Sequence, residues 1–416
     1  MELHIVTEAN RCLNCKKPMC QQGCPVHTPI PRVISLFKEG KLTEAGQMLF
    51  ENNPMSLVCS MVCNHEQQCV GHCVLGRKGS PVHFSSIETY ISDMYLDRMP
   101  IVKPEPNGIK AAVIGAGPGG ITAAIELAKL GYDVTIFEWK GKIGGIMRYG
   151  IPEFRLPKSI LDRYQQRLEA MGIHIRPNTT IGAVLMIDDL FRDGYKAVFI
   201  GTGAEKPKSL GIQGESLGNV YFGLNYLANP QGHRIGDRVA VIGMGNAAMD
   251  VARTALRQGA RSVTLFARGK RITASSNEVD YARLDGAEFV FGKQIQYIDE
   301  KGPVFKTSIF DDEGHIVGYE DELHHFDADS VIISVSQMPR KKLVRTMDGL
   351  QADDRGNLIV DENYMTTRSG VFAAGDVVTG PKTVVHAVEA AKQAARAMDA
   401  YMRAGESGQK TSVAST

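Results

Sequence analysis

The stretch from Lys110 to Glu138, KAAVIGAGPGGITAAIELAKLGYDVTIFE, constrains the fold of this chain more than any other. A short apolar run, Ala111 to Ile114, breaks into Gly-Ala-Gly-Pro-Gly-Gly. An amphipathic segment follows, then a second apolar run that ends in Glu138. That order predicts a strand, a glycine turn, a helix and a strand, with an acid at the tip of the second strand. Gly115 allows the tight turn, Gly117 lets a pyrophosphate approach the backbone, and Gly120 lets the helix pack closely on the sheet. The helix N-terminus faces the phosphates, and Glu138 is placed to accept hydrogen bonds from a ribose. A structural glycine turn is the plainer alternative. With strand, helix and acid all in place, dinucleotide binding is the stronger reading.

A chain of 416 residues has room for two or three domains, and 43% apolar residues suit a globular protein. A net charge of +1 gives no hint of nucleic acid. No apolar run approaches the length of a membrane span, and the opening MELHIVTEANRC has no signal-peptide core, so a cytoplasmic location is the expectation. All 8 cysteines fall between Cys12 and Cys73. In a reducing compartment such clustering reads as metal ligands more readily than as disulfides.

The first four cysteines read C-x2-C-x4-C-x3-C-P (Cys12, Cys15, Cys20, Cys24) and the second four C-x3-C-x5-C-x3-C (Cys59, Cys63, Cys69, Cys73). Thiolates at this density, with Pro25 closing the first run, suit iron–sulfur clusters, and one cysteine of a run often serves the neighbouring cluster. Paired structural zinc sites are the alternative, but the spacings beyond the single C-x2-C fit them poorly. His27, His65 and His72 lie nearby and read as surface or packing residues. Between the runs, the apolar spacing of Ile30 to Phe50 predicts helix, so this domain is expected to be small and helical.

Prolines 100, 104 and 106 around Asn107-Gly108 mark a linker before the first strand. After Glu138, Gly144 and Gly145 allow close backbone approach to a cofactor, and Arg148 and Arg155 can face phosphate or flavin oxygens. A surface loop is the alternative there. A helix is predicted from Ser159 to Met171 and a buried strand from Ala197 to Gly203. Arg238 restarts the nucleotide pattern, RVAVIGMGNAAMDVARTALRQGARSVTLFAR. Gly243 and Gly245 match the first two glycines, and Ala248 takes the third position, where a small residue suffices. This second strand ends without an acid, and Arg268, Lys270 and Arg271 follow it. An arginine there can pair with a 2′-phosphate that an acid would repel, so NADP is favoured over NAD, a solvated basic loop being the alternative. Two such units imply a permanent flavin and an exchangeable nicotinamide cofactor. The strand Ser330 to Val335 reads as the return to the first unit, and Gly375-Asp376 then precedes a turn and a helix; in two-dinucleotide flavoproteins such an acid meets the flavin's ribityl chain and the helix start meets its ring. The tail from Gly405 is polar and Ser/Gly-rich, which predicts disorder over 406–416.

Taken together, RCLNCKKPMC…GCP, VC…CVLG…PV, GAGPGG, YGIPEFRLPK, GMGNAAMDVAR and VFAAGDVVTGPKTVVHAVEA make the chain resemble the small (beta) subunit of bacterial glutamate synthase over nearly its whole length. The relatives of that family include the large subunit of NADH-dependent ferredoxin:NADP oxidoreductase and the flavin half of dihydropyrimidine dehydrogenase. The resemblance implies one FAD, an NADP(H) or NAD(H) site and two 4Fe-4S clusters. It further implies FAD contacts at Gly115, Gly117, Glu138, Gly145, Arg155, Asp376 and Thr383, and nicotinamide-dinucleotide contacts at Gly245, Asn246, Ala247 and Arg268. It interleaves the cysteines, with Cys12, Cys15, Cys20 and Cys73 around one cluster and Cys24, Cys63 and Cys69 around the other. The fourth ligand of the second matches Glu88, leaving Cys59 spare; taken alone, Glu88 reads as a solvated helix glutamate. Three departures stand out: Asn64 after Cys63 where the family has proline, Ala267 before Arg268 where it has a second arginine, and Ser334-Val335-Ser336-Gln337-Met338-Pro339 for A-x-G-Q-x-P.

The reading is an α/β protein with a small helical iron–sulfur domain (1–107) and two Rossmann-like domains, the second inserted in the first. The FAD domain is expected over 108–232 and 333–405, and the NAD(P)H domain over 233–332. The expected activity is NAD(P)H-dependent electron transfer through FAD and iron–sulfur clusters to a larger catalytic or electron-accepting subunit. No protein nucleophile or acid–base pair is required, since the cofactors carry the chemistry. The chain is expected to join copies of itself or other chains, and neither nucleic acid nor membrane is an expected partner. Subunits of a dihydropyrimidine dehydrogenase or of a bifurcating ferredoxin:NADP oxidoreductase are the alternatives, with a dinucleotide-binding redox sensor as the non-enzymatic one. A disulfide reductase would need a C-x-x-C beside the flavin, and no cysteine follows Cys73.

Overall fold

The computed structural model describes all residues except 1–3, 102–103, 342–343, 345 and 414–416, and gives backbone alone for 405–413. Residues 102–103 of the expected linker and 414–416 of the expected tail therefore lie outside the described residues. The chain forms two units, one of Met1–Met147, Glu153–Ala204 and Pro339–Thr416, the other of Arg148–Pro152 and Glu205–Met338.

The first unit opens with short helices, among them Ile30–Lys38, Leu42–Asn52, Ser56–Val62 and Phe84–Arg98. Their apolar faces close on a core that includes Val33, Leu36, Leu49, Ile87 and Ile91. The apolar run Ile30 to Phe50 is two helices rather than one. Gly40, at φ +75°, ends the first, and the Lys41 N–H donates back to the Leu36 carbonyl at 2.9 Å, a glycine-stopped C-terminus. A parallel five-stranded sheet follows, in the order Val371–Ala373, Tyr195–Ile200, Lys110–Ile114, Asp133–Phe137, His174–Arg176. Four of the five residues in Lys110–Ile114 are buried, as a parallel strand covered on both faces requires. The helices Pro118–Lys129 and Val384–Val413 pack together in this unit.

The second unit repeats that order with different strands: Val220–Phe222, Ser330–Ile333, Arg238–Ile242, Ser262–Phe266, Glu288–Val290, all parallel. An antiparallel sheet of Lys293–Asp299, Gly302–Phe310 and Ile316–His325 lies in the crossover before Ser330.

One expectation is corrected here. Ser330–Ile333 does not return to the first unit; it pairs on both sides within the second sheet, where it holds the place that Tyr195–Ile200 holds in the first. The chain re-enters the first unit only at Pro339, after Gln337–Met338 pairs with Lys206–Pro207. A buried apolar strand looks alike at either place, so only its partners distinguish them.

Candidate functional site

In the first unit the glycine turn is as tight as its sequence demands. Gly115 sits at φ +99°, and a Cβ there would lie 2.7 Å from the Gly201 carbonyl oxygen. At Gly120 a Cβ would lie 1.9 Å from the carbonyl oxygen of Gly115, so no larger residue fits. Gly117 begins the helix in extended backbone, and a Cβ on Gly145 would come within 2.9 Å of its Cα. Two bare backbones thus face each other, leaving a trough where phosphates can lie against N–H groups. Glu138 is buried and holds this turn: its Oε2 accepts from the Ala116 N–H at 2.7 Å and its Oε1 from the Lys140 N–H at 2.8 Å. The indole of Trp139, next in sequence, carries the Arg340 guanidinium 4.3 Å from its centroid. Arg155 is half-buried in the loop before helix Lys158–Ala170.

The C-terminal motif meets the same turn. A Cβ on Gly119 would touch the Ala374 and Ala387 carbonyl oxygens, at 3.9 and 3.8 Å. Gly375, at φ +80°, turns the chain into Asp376. The Asp376 Oδ1 accepts from the Lys382 N–H at 3.0 Å, and the Thr383 hydroxyl lies 2.6 Å from Nδ1 of His386, a neighbour that sequence reasoning missed.

Burial pushes the Asp376 carboxyl up to about 6, against the smaller opposing pull of the Lys382 backbone N–H and charge. A raised folded-state value means that ionisation opposes folding: the flavin-free protein loses stability as pH rises from the ordinary carboxylate value through about 6. Asp376→Asn is therefore expected to stabilise flavin-free protein at about pH 7, by on the order of 2 kcal/mol, and progressively less toward about pH 4. Urea unfolding across that range measures it. A gain independent of pH would assign the effect to packing rather than to charge.

In the second unit, Gly243 adopts φ +135°, and a Cβ there would lie 2.2 Å from the Ser334 carbonyl oxygen. Gly245 begins helix Asn246–Arg257, Ala247 is exposed on its first turn, and Ala248 is fully buried at the third glycine position. The basic loop folds back onto this turn. Thr273 and Ala274 both donate backbone N–H groups to the Met244 carbonyl, and the Ser275 N–H donates to Asn246 Oδ1 at 2.9 Å. Arg268 and Arg271 are exposed and make no ion pair among the described residues, whereas the Lys270 ammonium sits 4.4 Å from the centroid of the Phe310 ring.

The cysteines ring two cavities in the helical part of the first unit. Cys12, Cys15, Cys20, Cys73 and Cys69 line one, of about 460 Å³. Cys24, Cys59, Cys63, Cys69 and Glu88 line the other, of about 310 Å³. Cys69 is a wall of both. All eight thiols are free of disulfides, and among the described residues no three ligand side chains converge on a single-ion site. Thiols spread around a cavity fit a cluster of several metal atoms better than one tetrahedral zinc. Burial, with the neighbouring Cys73, Cys12 and Cys15 adding to it, pushes the Cys20 thiol up to about 11, and burial raises Cys69 further still. Such thiols ionise when a metal compensates the charge, so the donor set fits iron.

Glu88 is not a solvated helix residue. It lies on the inner face of Phe84–Arg98, 6% exposed, and burial holds its carboxyl well above the usual range. Cys59 is buried and faces the same cavity. His65 also lines it, with Nε2 buried and without a hydrogen-bond partner. The sequence offered only its place between two cysteines as a signal.

Among the described residues no helix is long and apolar enough to cross a membrane. A family model described as pyridine nucleotide-disulphide oxidoreductase matches residues 109–391, and one described as dihydropyrimidine dehydrogenase domain II, 4Fe-4S cluster, matches residues 1–99. The chain is 32% identical to the glutamate synthase (NADPH) small chain of Escherichia coli K12, across 93% of this chain and 89% of that protein. It is also 32% identical to the NAD-dependent dihydropyrimidine dehydrogenase subunit PreT of the same organism, across 96% and 95%. Among solved structures, Mycobacterium tuberculosis FprA in complex with NADPH shares the fold at a TM-score of 0.61 and 19% identity, covering 73% of this chain and 86% of that one.

Proposed function

We propose, since this chain belongs to the pyridine nucleotide-disulphide oxidoreductase family and to its glutamate synthase small-chain group, that it feeds electrons from NAD(P)H to a larger partner subunit through two 4Fe-4S clusters. It is an oxidoreductase of the flavin and iron–sulfur type, using FAD, NAD(P) and iron–sulfur chemistry. The observation that carries the proposal is the pair of thiol-ringed cavities sharing Cys69, in the same folded unit as the first glycine turn.

When bound, the flavin exchanges a two-electron hydride for single electrons, and the clusters store one electron at a time. The chain's own residues bind and orient. Glu138, Gly115, Gly117 and Gly120 hold the adenosine diphosphate half of FAD, with Gly145 keeping the trough open. Gly375 and Asp376 meet the ribityl chain, while Thr383, the start of the long helix and Arg155 lie on the ring side. Gly243, Gly245, Asn246 and Ala247 hold the nicotinamide dinucleotide, and Arg268 selects the 2′-phosphate. Cys12, Cys15, Cys20 and Cys73 hold one cluster; Cys24, Cys63, Cys69 and Glu88 hold the other. Val385, two residues beyond Thr383, lines the Glu88 cavity, which supports reading that cavity as the flavin-side one of the pair. The two relatives at 32% identity are named for different nicotinamide cofactors, so the choice rests on the Arg268 loop, which supports NADP. Both are named as a chain or subunit of a larger enzyme, which supports the subunit role; a cytoplasmic location goes with thiols kept reduced.

Cofactor content tests the proposal. Protein purified without oxygen is expected to carry one FAD, about eight irons and no stoichiometric zinc. Zinc in place of iron would overturn the electron-transfer reading.

A further inference from the structure

Cys24 is tied to a chain of buried side-chain hydrogen bonds. Its Sγ lies 3.3 Å from the Thr28 hydroxyl, which donates to Asn52 Oδ1 at 3.0 Å. The Asn52 amide in turn donates to the Val26 carbonyl at 2.9 Å, which fixes its oxygen toward Thr28. The backbone of Asn52 is held as well. It ends helix Leu42–Asn52, and the Lys392 ammonium donates to the Glu51 carbonyl at 3.3 Å and to that of Asn52. A lysine at a helix C-terminus satisfies carbonyls that have no partner within the helix. Lys392 is buried on the long helix Val384–Val413, about two turns beyond Val385, which lines the cavity that Cys24 and Thr28 also line. Thr28 is 2% exposed, so bulk water does not stand in for either of its partners.

A threonine hydroxyl has one proton to give. While Cys24 is a thiol, that proton goes to Asn52, and the S–H is free to donate to the Thr28 oxygen. A thiolate bound to iron only accepts, so Thr28 then has two acceptors, Sγ and Asn52 Oδ1, for one proton. A hydrogen bond to a ligating sulfur offsets negative charge at the metal, which favours the reduced form of a cluster. We propose that Thr28 is a positioning residue that sets the reduction potential of the cluster held by Cys24, and that Asn52 limits its effect by competing for the same proton. The proposal rests on the electron-transfer reading above. No bond breaks: each reduction adds one electron, supplied by NAD(P)H through the flavin, and Thr28 keeps its proton. Cys73, in the other ligand set, meets the backbone N–H of Val82 at 3.5 Å instead, so the effect belongs to one cluster of the two.

The test is an EPR-monitored redox titration of the anaerobically purified holoprotein and three variants, with iron content measured on each. Thr28→Val removes the donor at nearly the same shape, and the potential of one cluster is expected to fall. At fixed ambient potential its reduced-to-oxidised ratio should drop about tenfold, a shift of about 59 mV for one electron. Thr28→Ser should match the wild type. Asn52→Leu removes the competing acceptor and should move the same signal in the opposite direction. Loosening of the turn would instead move Thr28→Val and Asn52→Leu together. Unchanged potentials in iron-replete Thr28→Val, or shifts of one sign in both variants, would overturn the proposal and leave the electron-transfer reading standing. Iron lost from Thr28→Val but kept in Thr28→Ser would also overturn it, because Thr28 would then serve to retain the ligand. If Asn52→Leu does not fold, the contrast between Thr28→Val and Thr28→Ser decides. A wild type that binds no iron–sulfur cluster would overturn both readings.

Discussion

Glu88→Ala is expected to yield a folded protein that still oxidises NAD(P)H at its flavin but has one altered iron–sulfur cluster. The reason is the cost of an unpaired buried carboxylate. Glu88 is 6% exposed, and burial holds its carboxyl well above the usual range, so it gives up its proton only where a positive charge enters, and ionising it without one would cost several kcal/mol. Iron in the cavity it shares with Cys24, Cys63 and Cys69 would supply that charge. Cys59 carries no such demand, because a buried neutral thiol behaves as a small apolar group. Cys59→Ser should therefore retain two clusters and most activity, whereas Glu88→Ala should lose iron or change one EPR signal and slow electron delivery to the partner severalfold. A carboxylate is a harder ligand than thiolate, so the native cluster should also be the more labile of the two. If Cys59→Ser loses a whole cluster while Glu88→Ala changes neither iron nor EPR, the fourth ligand is Cys59.

Arg268→Ala should raise the KM for NADPH about ten- to a hundredfold and that for NADH little, the loss of a charge-assisted phosphate contact costing roughly 1.5–3 kcal/mol. The backbone bonds of Thr273 and Ala274 to Met244 fold the basic loop over the glycine turn, and Arg268 and Arg271 stay exposed, with no ion pair among the described residues. Lys270 is committed to Phe310, so Lys270→Ala should leave the ratio of the two KM values nearly unchanged. Steady-state kinetics with both cofactors decides this. Equal losses with NADPH and NADH in Arg268→Ala, or a wild type that strongly prefers NADH, would remove Arg268 from phosphate selection.

Most of the nucleotide-binding architecture is legible in the sequence because it is local. A strand, a glycine turn and a helix are set by backbone sterics within one short segment. At Gly115, Gly120 and Gly243 any side chain would meet a carbonyl oxygen under 3 Å away. The acid after the first unit and its absence after the second are likewise local. What depends on distant partners was not legible. Ser330–Ile333 has the same apolar pattern whichever sheet it joins, and its hydrogen-bonded neighbours alone place it in the second. Glu88 reads as an ordinary helix glutamate until helix packing turns it inward beside cysteines more than fifteen residues away in sequence. Three adjacent cations look equivalent until Phe310, on another strand, engages one of them. Spacing along the chain thus determined which chemistry the residues can support, and tertiary packing decided which of them reach it, because burial and cation–aromatic contact depend on neighbours that sequence order does not specify.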